Sequence, residues 1–543
     1  MSSDVLPEPG TGLSLTRRAA LKGFKELFWT VNFYPYVLSR DDPVILAAID
    51  YQNVYIYQVT DKEECGLQCL HVFKQPQHTA KTTAETKNSW MNCSTWCYTD
   101  DQEPLLAIAG ESGHVSIYHA MTGRLVHTLV GHSNGTVNDL STHPKYPWII
   151  ASASLDHSIR VWDLRRADKP ALSTCVAICG HNTGHVAGLV TIDWHHSGRY
   201  IVSGGYDHRV CVWTLPDFAP MSEFWYEISK EGRKRSRDEV RVIHYPHFAT
   251  SAIHGDYVDN VIFLGDLIIS RAAAENKIVL WSITGFHSAK EPPPEITTVK
   301  GQEHLETKNG FRRRTDLGID DDFTRADNDY ASPEVYRRCL ELSNPDSSSI
   351  YWRYSVRKPS KLFPDVRPIL TVGNHLSQIR HWDIQALIEG HDGSGLGARK
   401  PAQNKALARQ KKKGIAEPIR KMNRTNTKRA GSDTSHQALS NDISREASAE
   451  LLTHQAADSG TDSPAQGSDY SEAKERNRVK YPLHGTGKEL PAHKQSNEAS
   501  DMKFFTSRAI DWSVCGQWCV AVGEMPVQGE PQGGIILYSV KTV

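Results

Sequence analysis

Two stretches of this chain repeat one order of landmarks, and that repetition limits the fold more than any other feature. In the first, Gly131-His132 is followed by His143-Pro144, then Ile149-Ile150-Ala151-Ser152-Ala153-Ser154, Asp156, and Ile159-Arg160-Val161-Trp162-Asp163. In the second, Gly184-His185 precedes Ile192-Asp193-Trp194, Ser197-Gly198, Ile201-Val202-Ser203-Gly204-Gly205, Asp207 and Val210-Cys211-Val212-Trp213. Short β-branched runs parted by Gly, Asp and His turns predict four strands per unit. A period of roughly 40–45 residues is that of one blade in a closed ring of four-stranded sheets. One blade alone cannot bury its faces, so a chain built this way must supply several.

Weaker copies fill the remainder. Val44-Ile45-Leu46-Ala47-Ala48 with Val54-Tyr55-Ile56-Tyr57 forms one, and Leu105-Leu106-Ala107-Ile108-Ala109-Gly110 with Val115-Ser116-Ile117-Tyr118 another. Three more centre on Ile278-Val279-Leu280-Trp281, Ile379-Arg380-His381-Trp382-Asp383 and Ile535-Ile536-Leu537-Tyr538. The chain is therefore expected to be all-β, a seven-bladed β-propeller with blades near 24–59, 90–120, 131–165, 184–215, 254–284, 350–384 and 504–540. The units resemble WD repeats. The resemblance implies that His132, Asp156 and Trp162, then His185, Asp207 and Trp213, form buried hydrogen-bonded networks that lock their blades.

Composition separates the blades from what interrupts them. Residues 216–248 carry the basic cluster Arg233-Lys234-Arg235-Ser236-Arg237, and residues 284–349 are rich in Pro, Asp, Glu and Arg, with Asp320-Asp321-Asp322 among them. Residues 389–501 are mostly Ala, Ser, Gly, Gln, Lys and Arg, too poor in apolar side chains to offset the entropy of ordering. That long insertion and an arm at 1–23 are expected to be disordered. Between Lys405 and Arg429 stand ten Lys/Arg and a single acid, Glu417, a density suited to nucleic-acid or import-receptor contact.

Several function classes are disfavoured. No apolar stretch approaches a membrane span, and MSSDVLPEPGTG reads as neither a signal nor a transit peptide, so a cytosolic or nuclear protein is expected. The ten cysteines lack a repeated CxxC, and Cys93, Cys97, Cys211 and Cys519 sit in apolar runs where a thiol acts as a small core residue. Neither GxSxG, a phosphate loop nor HExxH is present, and His195-His196 has no metal-ligand partner at a recognisable spacing. The sequence predicts a binding protein without catalytic residues, cofactor or metal.

One run is far more specific than a generic repeat: Ile243-His244-Tyr245-Pro246-His247-Phe248-Ala249-Thr250, then Ile253-His254, Tyr257-Val258-Asp259 and Leu264-Gly265-Asp266-Leu267-Ile268-Ile269-Ser270. It resembles the embryonic ectoderm development (EED) and extra sex combs proteins, the WD-repeat subunits of the Polycomb repressive methyltransferase complex. Pro104-Leu105-Leu106-Ala107-Ile108-Ala109-Gly110 and the Gly131-His132 blade support the match. The resemblance implies a nuclear reader and scaffold. Its partners would be a methylated histone tail, a SET-domain methyltransferase of the Enhancer-of-zeste type and a zinc-finger subunit of the Suppressor-of-zeste type.

Reading trimethyl-lysine requires an aromatic cage, because a quaternary ammonium donates no hydrogen bond and is held by ring faces. Carrying the family's cage over by strand register implies Trp29 before Val31-Asn32-Phe33, with Phe28 the alternative, and Tyr351, with Trp352 as a compensating ring. In the second blade Asn92 falls where the family has a tyrosine. A short bulge is expected to bring Trp90 in instead. Arg353 and Arg508 are implied as histone-peptide contacts. A rival reading rests on Val161-Trp162-Asp163-Leu164-Arg165, similar to the WDxR box of propellers that serve cullin-RING ubiquitin ligases as substrate receptors.

Overall fold

The computed structural model describes residues 13–60, 66–74, 90–99, 103–132, 135–167, 173–180, 184–220, 222, 224, 240–296, 308–311, 335–388, 494–497, 505–527 and 530–542. They form seven sheets, antiparallel apart from one added edge strand. From the innermost strand outward, blade 1 is Phe28–Phe33, Ile45–Asp50, Asn53–Val59 and Leu67–Lys74; blade 2 is Met91–Cys97, Leu105–Gly110, Val115–His119 and Leu125–Leu129. Blade 3 is Val137–Thr142, Ile149–Ser154, Ser158–Asp163 and Cys175–Gly180; blade 4 is Leu189–Trp194, Tyr200–Gly205, Val210–Thr214 and Phe248–Thr250. Blade 5 is Val258–Leu264, Leu267–Ala272, Lys277–Ile283 and Tyr336–Ser343; blade 6 is Ser355–Arg357, Ile369–Gly373, Gln378–Asp383 and Lys494–Asn497. Blade 7 takes Thr506–Trp512, Trp518–Val527 and Glu530–Thr542 from the end of the chain, and its outermost strand, Leu13–Phe24, from the beginning.

The second strands explain why the repeats read as apolar runs. Leu105–Gly110, Ile149–Ser154 and Tyr200–Gly205 are buried at every position because neighbouring blades cover both of their faces. Apolar side chains from adjacent blades meet in shared clusters, as where Ile201 and Trp213 of blade 4 pack with Ile159 and Val161 of blade 3.

Four boundaries need correcting. The arm at 1–23 is not disordered throughout, since Leu13–Phe24 pairs along Glu530–Thr542 from Leu13↔Thr542 to Phe24↔Gly533. The segments assigned to insertions also contain the outer edges of blades: Phe248–Thr250 and Arg241–Ile243 from 216–248, Tyr336–Ser343 and Lys308–Asn309 from 284–349, and Lys494–Asn497 from 389–501. Arg241–Ile243 lies parallel beside Cys175–Gly180, as a fifth strand of blade 3. Edge strands are half solvated and can be short and polar, so they lack the apolar run that marks an inner strand. The other residues of these insertions, including the stretch between Lys405 and Arg429, lie outside the described residues.

Candidate functional site

Antiparallel alternation gives the propeller two unlike faces. Innermost strands begin at one face, where the turn between second and third strands also lies; connections from third to outermost strand lie at the other. All three insertions begin at this second face, after Thr214, Ile283 and Ile388.

At the first face, six of the seven innermost strands carry a register shift near their start, between Phe28/Thr30, Met91/Cys93, Val137/Asp139, Leu189/Thr191, Val258/Asn260 and Ser507/Ala509. Each bulge adds a residue that breaks the in-out alternation at the mouth of the central channel. Those residues are Trp29, Asn92, Asn138, Val190, Asp259 and Arg508. Small residues make room: a β-carbon on Gly110 would run into the Trp90 carbonyl, and one on Gly523 into that of Thr506.

The structure brings Trp29, Trp90 and Tyr351 into one half-buried row of rings. Trp29 stands nearly perpendicular to Tyr351, with centroids 6.2 Å apart and planes at 87°. Tyr51 joins the row from the second turn of blade 1, 5.4 Å from Trp29 and 4.6 Å from Trp90. Tyr206, from the corresponding turn of blade 4, places its hydroxyl 2.7 Å from that of Tyr351. Neither tyrosine was among the expected site residues. The repeat pattern marks their turns, through Asp50 and Asp207, but nothing in the spacing says that a turn ring from blade 1 and one from blade 4 reach the same mouth.

Three expected residues do other work. Phe28 is fully buried, packed on Phe24 and Tyr55, because it faces back into the blade while Trp29 is turned out by the bulge. Trp352 is also fully buried, edge-on to His375 at 4.4 Å. Arg353 is held within the protein. It crosses the mouth from blade 6, donating to the carbonyls of Asp259 (2.9 Å), Val190 (3.0 Å) and Asn138 (3.2 Å), and pairs with Asp139 at 3.3 Å. Arg508 is held by Glu524 (2.8 Å) and Ser349 (3.1 Å), with its guanidinium 5.5 Å from the Trp29 ring centroid.

The blade networks are directly visible. The indole N–H of Trp162 donates to Ser152 at 2.8 Å, Ser152 lies 2.7 Å from His132 Nε2, and His132 Nδ1 lies 2.9 Å from Asp156. A neutral imidazole completes this chain with every donor and acceptor used. Blade 4 repeats it with Trp213, Ser203, His185 and Asp207. Blade 5 has a third copy, missed in the sequence because glutamate replaces aspartate: Trp281, Ser270, His254 and Glu275. Charge attraction to His185, and then hydrogen bonding to it, hold Asp207 below the usual carboxylate range, and hydrogen bonding to His254 holds Glu275 down at about 2, so both remain ionised at this face.

Below the mouth runs a polar channel of about 260 Å³ lined by Asn32, Ser94, Asp139, Asp193, Ser355 and Asp511 among others. Three of its carboxylates staple one blade to the next: Asp139 accepts from Ile192 N (2.9 Å), Asp193 from Phe263 N (2.8 Å) and Asp511 from Phe33 N (2.7 Å). Burial pushes Asp193 and Asp511 up to about 6. Because these folded values exceed the unfolded value of 3.8, their stabilising effect is complete at acid pH and is lost as pH rises through about 6. Asp193→Asn keeps the acceptor and removes the titration. The stability of the variant relative to wild type should therefore be about 1–3 kcal/mol greater at pH 7.5 than at pH 4.5. Denaturant titrations of both proteins across that range check this, and parallel pH profiles would contradict it.

The WDxR-like arginine is already engaged: Arg165 pairs with Asp163 at 3.0 Å and lies 4.7 Å over the Trp148 ring. Among the described residues no cluster of three or more His, Cys, Asp or Glu side chains is placed to hold a metal ion.

Residues 123–163 and 173–214 match the family model described as WD domain, G-beta repeat. The chain is 34% identical over 362 residues to the Polycomb protein EED of Chaetomium thermophilum, covering 66% of this chain and 56% of that protein. It is 30% identical over 258 residues to the Polycomb protein esc of Drosophila melanogaster, covering 47% of this chain and 56% of that one. It thus spans just over half the length of these curated relatives. Similarity also extends to a crystal structure of the Chaetomium thermophilum polycomb repressive complex 2, with TM-score 0.64 and 26% identity over 97% of this chain and 98% of the chain compared. A structure of ctPRC2 in complex with H3K27me3 and H3K27M gives TM-score 0.63 and 25% identity over the same shares.

Proposed function

We propose that the chain, which is similar to the Polycomb EED and extra sex combs WD-repeat proteins, is a non-catalytic chromatin subunit that reads a repressive trimethyl-lysine on a histone tail and scaffolds and stimulates a SET-domain methyltransferase. The observation that carries this reading is the perpendicular Trp29–Tyr351 corner, extended by Tyr51 and Trp90 at the channel mouth. Two ring faces meeting at a right angle offer a quaternary ammonium cation–π attraction from two directions without demanding a hydrogen bond. The ionised carboxylates of Asp207 and Glu275 at the same face favour a basic peptide.

The mark named for the related complex, H3K27me3, is the candidate ligand. The opposite face, where the insertions begin, is left for the Enhancer-of-zeste type methyltransferase and a Suppressor-of-zeste type zinc-finger subunit, and the working compartment is the nucleus. Titration with H3K27me3 and unmodified peptides of the same sequence should show at least about tenfold tighter binding of the methylated one, the order expected from several ring contacts. Equal affinities would remove the reader role. Affinity purification from nuclear extract tests the scaffold role separately: it should recover a SET-domain subunit, and recovery of a cullin-RING adaptor in its place would favour the ligase reading.

A further inference from the structure

Tyr351 is one of few non-glycine residues with left-handed backbone, at φ +61°. A side chain costs energy there and stays only where its surroundings overdetermine it. The surroundings are a buried ion pair from blade 5. Arg271 and Asp259 are both wholly inaccessible and paired through Nη1. The other arm of the Arg271 fork donates to the carbonyls of Ser347, Ser349 (2.7 Å) and Ala273 (3.3 Å), while Asp259 accepts from the Trp352 amide at 3.3 Å. The guanidinium also lies 5.7 Å from the Trp352 ring centroid. The pair therefore grips the backbone on both sides of Tyr351, and Tyr206 holds the tip of its ring.

A buried pair seldom adds net stability over an apolar replacement, so its retention points to geometry. We propose that Arg271, with Asp259, is a positioning residue for methyl-lysine recognition. It fixes the segment that carries Tyr351 across the channel mouth, and so sets the angle of the Tyr351 ring to Trp29. This rests on the reader role proposed above. Lysine at 271 keeps the charge beside Asp259, but an ammonium lacks the planar fork that serves the carboxylate and the carbonyls together.

The test uses the full chain. Arg271→Lys should weaken H3K27me3 peptide binding about tenfold and leave the unmodified peptide within about twofold. Tyr206→Phe, which removes one hydroxyl and no packing, should show the same selective loss at about threefold. Hydrogen exchange without peptide should show faster exchange at the Tyr351 and Trp352 amides in Arg271→Lys, with the blade strands unchanged. Equal loss for both peptides, or unaltered exchange at those amides, overturns the proposal. If wild type itself fails to distinguish the peptides, the reader role falls, and exchange alone then decides whether Arg271 holds the segment.

Discussion

Alanine at Trp29 is expected to cost the methylated peptide about twofold to thirtyfold in affinity, the loss of 0.5–2 kcal/mol from one cation–π face, and to leave folding intact. Alanine one position earlier should do the reverse. Phe28 is fully buried among Phe24, Tyr55 and the blade 1–blade 7 cluster. Truncating it empties a ring-sized volume at a cost of about 3–5 kcal/mol of stability. Isothermal titration with H3K27me3 and unmodified peptides, run beside urea denaturation, separates the two adjacent variants. If Trp29→Ala bound both peptides as wild type does, the corner would not be the reading site; if Phe28→Ala melted like wild type, the assignment of the two faces would be reversed.

The second large effect is expected at Arg353. Its guanidinium joins the backbones of blades 3, 4 and 5 to blade 6 across the channel and faces Asp139, whose carboxyl is raised by burial and lowered by this arginine. Arg353→Met leaves Asp139 in a poorly solvated channel without its cation and three carbonyls without a donor. Removing one partner of such a pair should destabilise the fold by about 2–4 kcal/mol. Adding Asp139→Asn should recover part of the loss, since the Ile192 amide keeps its acceptor while the unpaired charge is gone. A four-protein cycle in urea measures the coupling. Additive effects would mean that the two groups do not act on each other, and Arg353→Met with normal stability but weak binding to any histone peptide would restore the role in peptide holding.

The residues that spacing alone made legible share one property: their partners lie within the same blade. His132, Asp156 and Trp162 fall within a single repeat, so order and spacing suffice to place them. The bulge at Met91/Cys93 that admits Trp90 was also readable, because Asn92 interrupts an otherwise regular strand. The contacts of Arg353 across the ring, to Asn138, Asp139 and Val190, were not legible, because one strand's pattern carries no information about distance across a channel. Tyr206 escaped for the same reason, through its bond to Tyr351. Lys494–Asn497 and Tyr336–Ser343 escaped because a fourth strand contributes backbone pairing, which almost any polar sequence can provide.

The ring also sets an order on the chain's own synthesis. Leu13 pairs with Thr542, 529 positions later (542 − 13), so Leu13–Phe24 is made long before the strand it pairs with. At about 5–20 residues per second, translation keeps that strand waiting between about 25 and 105 s. Throughout that interval Leu21 and Phe24 have no seventh blade to pack against, and the strand offers two unpaired edges to whatever chain is nearest. A neighbouring nascent copy that has already exposed its own Glu530–Thr542 is a chemically equivalent partner. Closure of the ring on itself therefore competes with pairing between two copies, end to beginning, until the last strand is made.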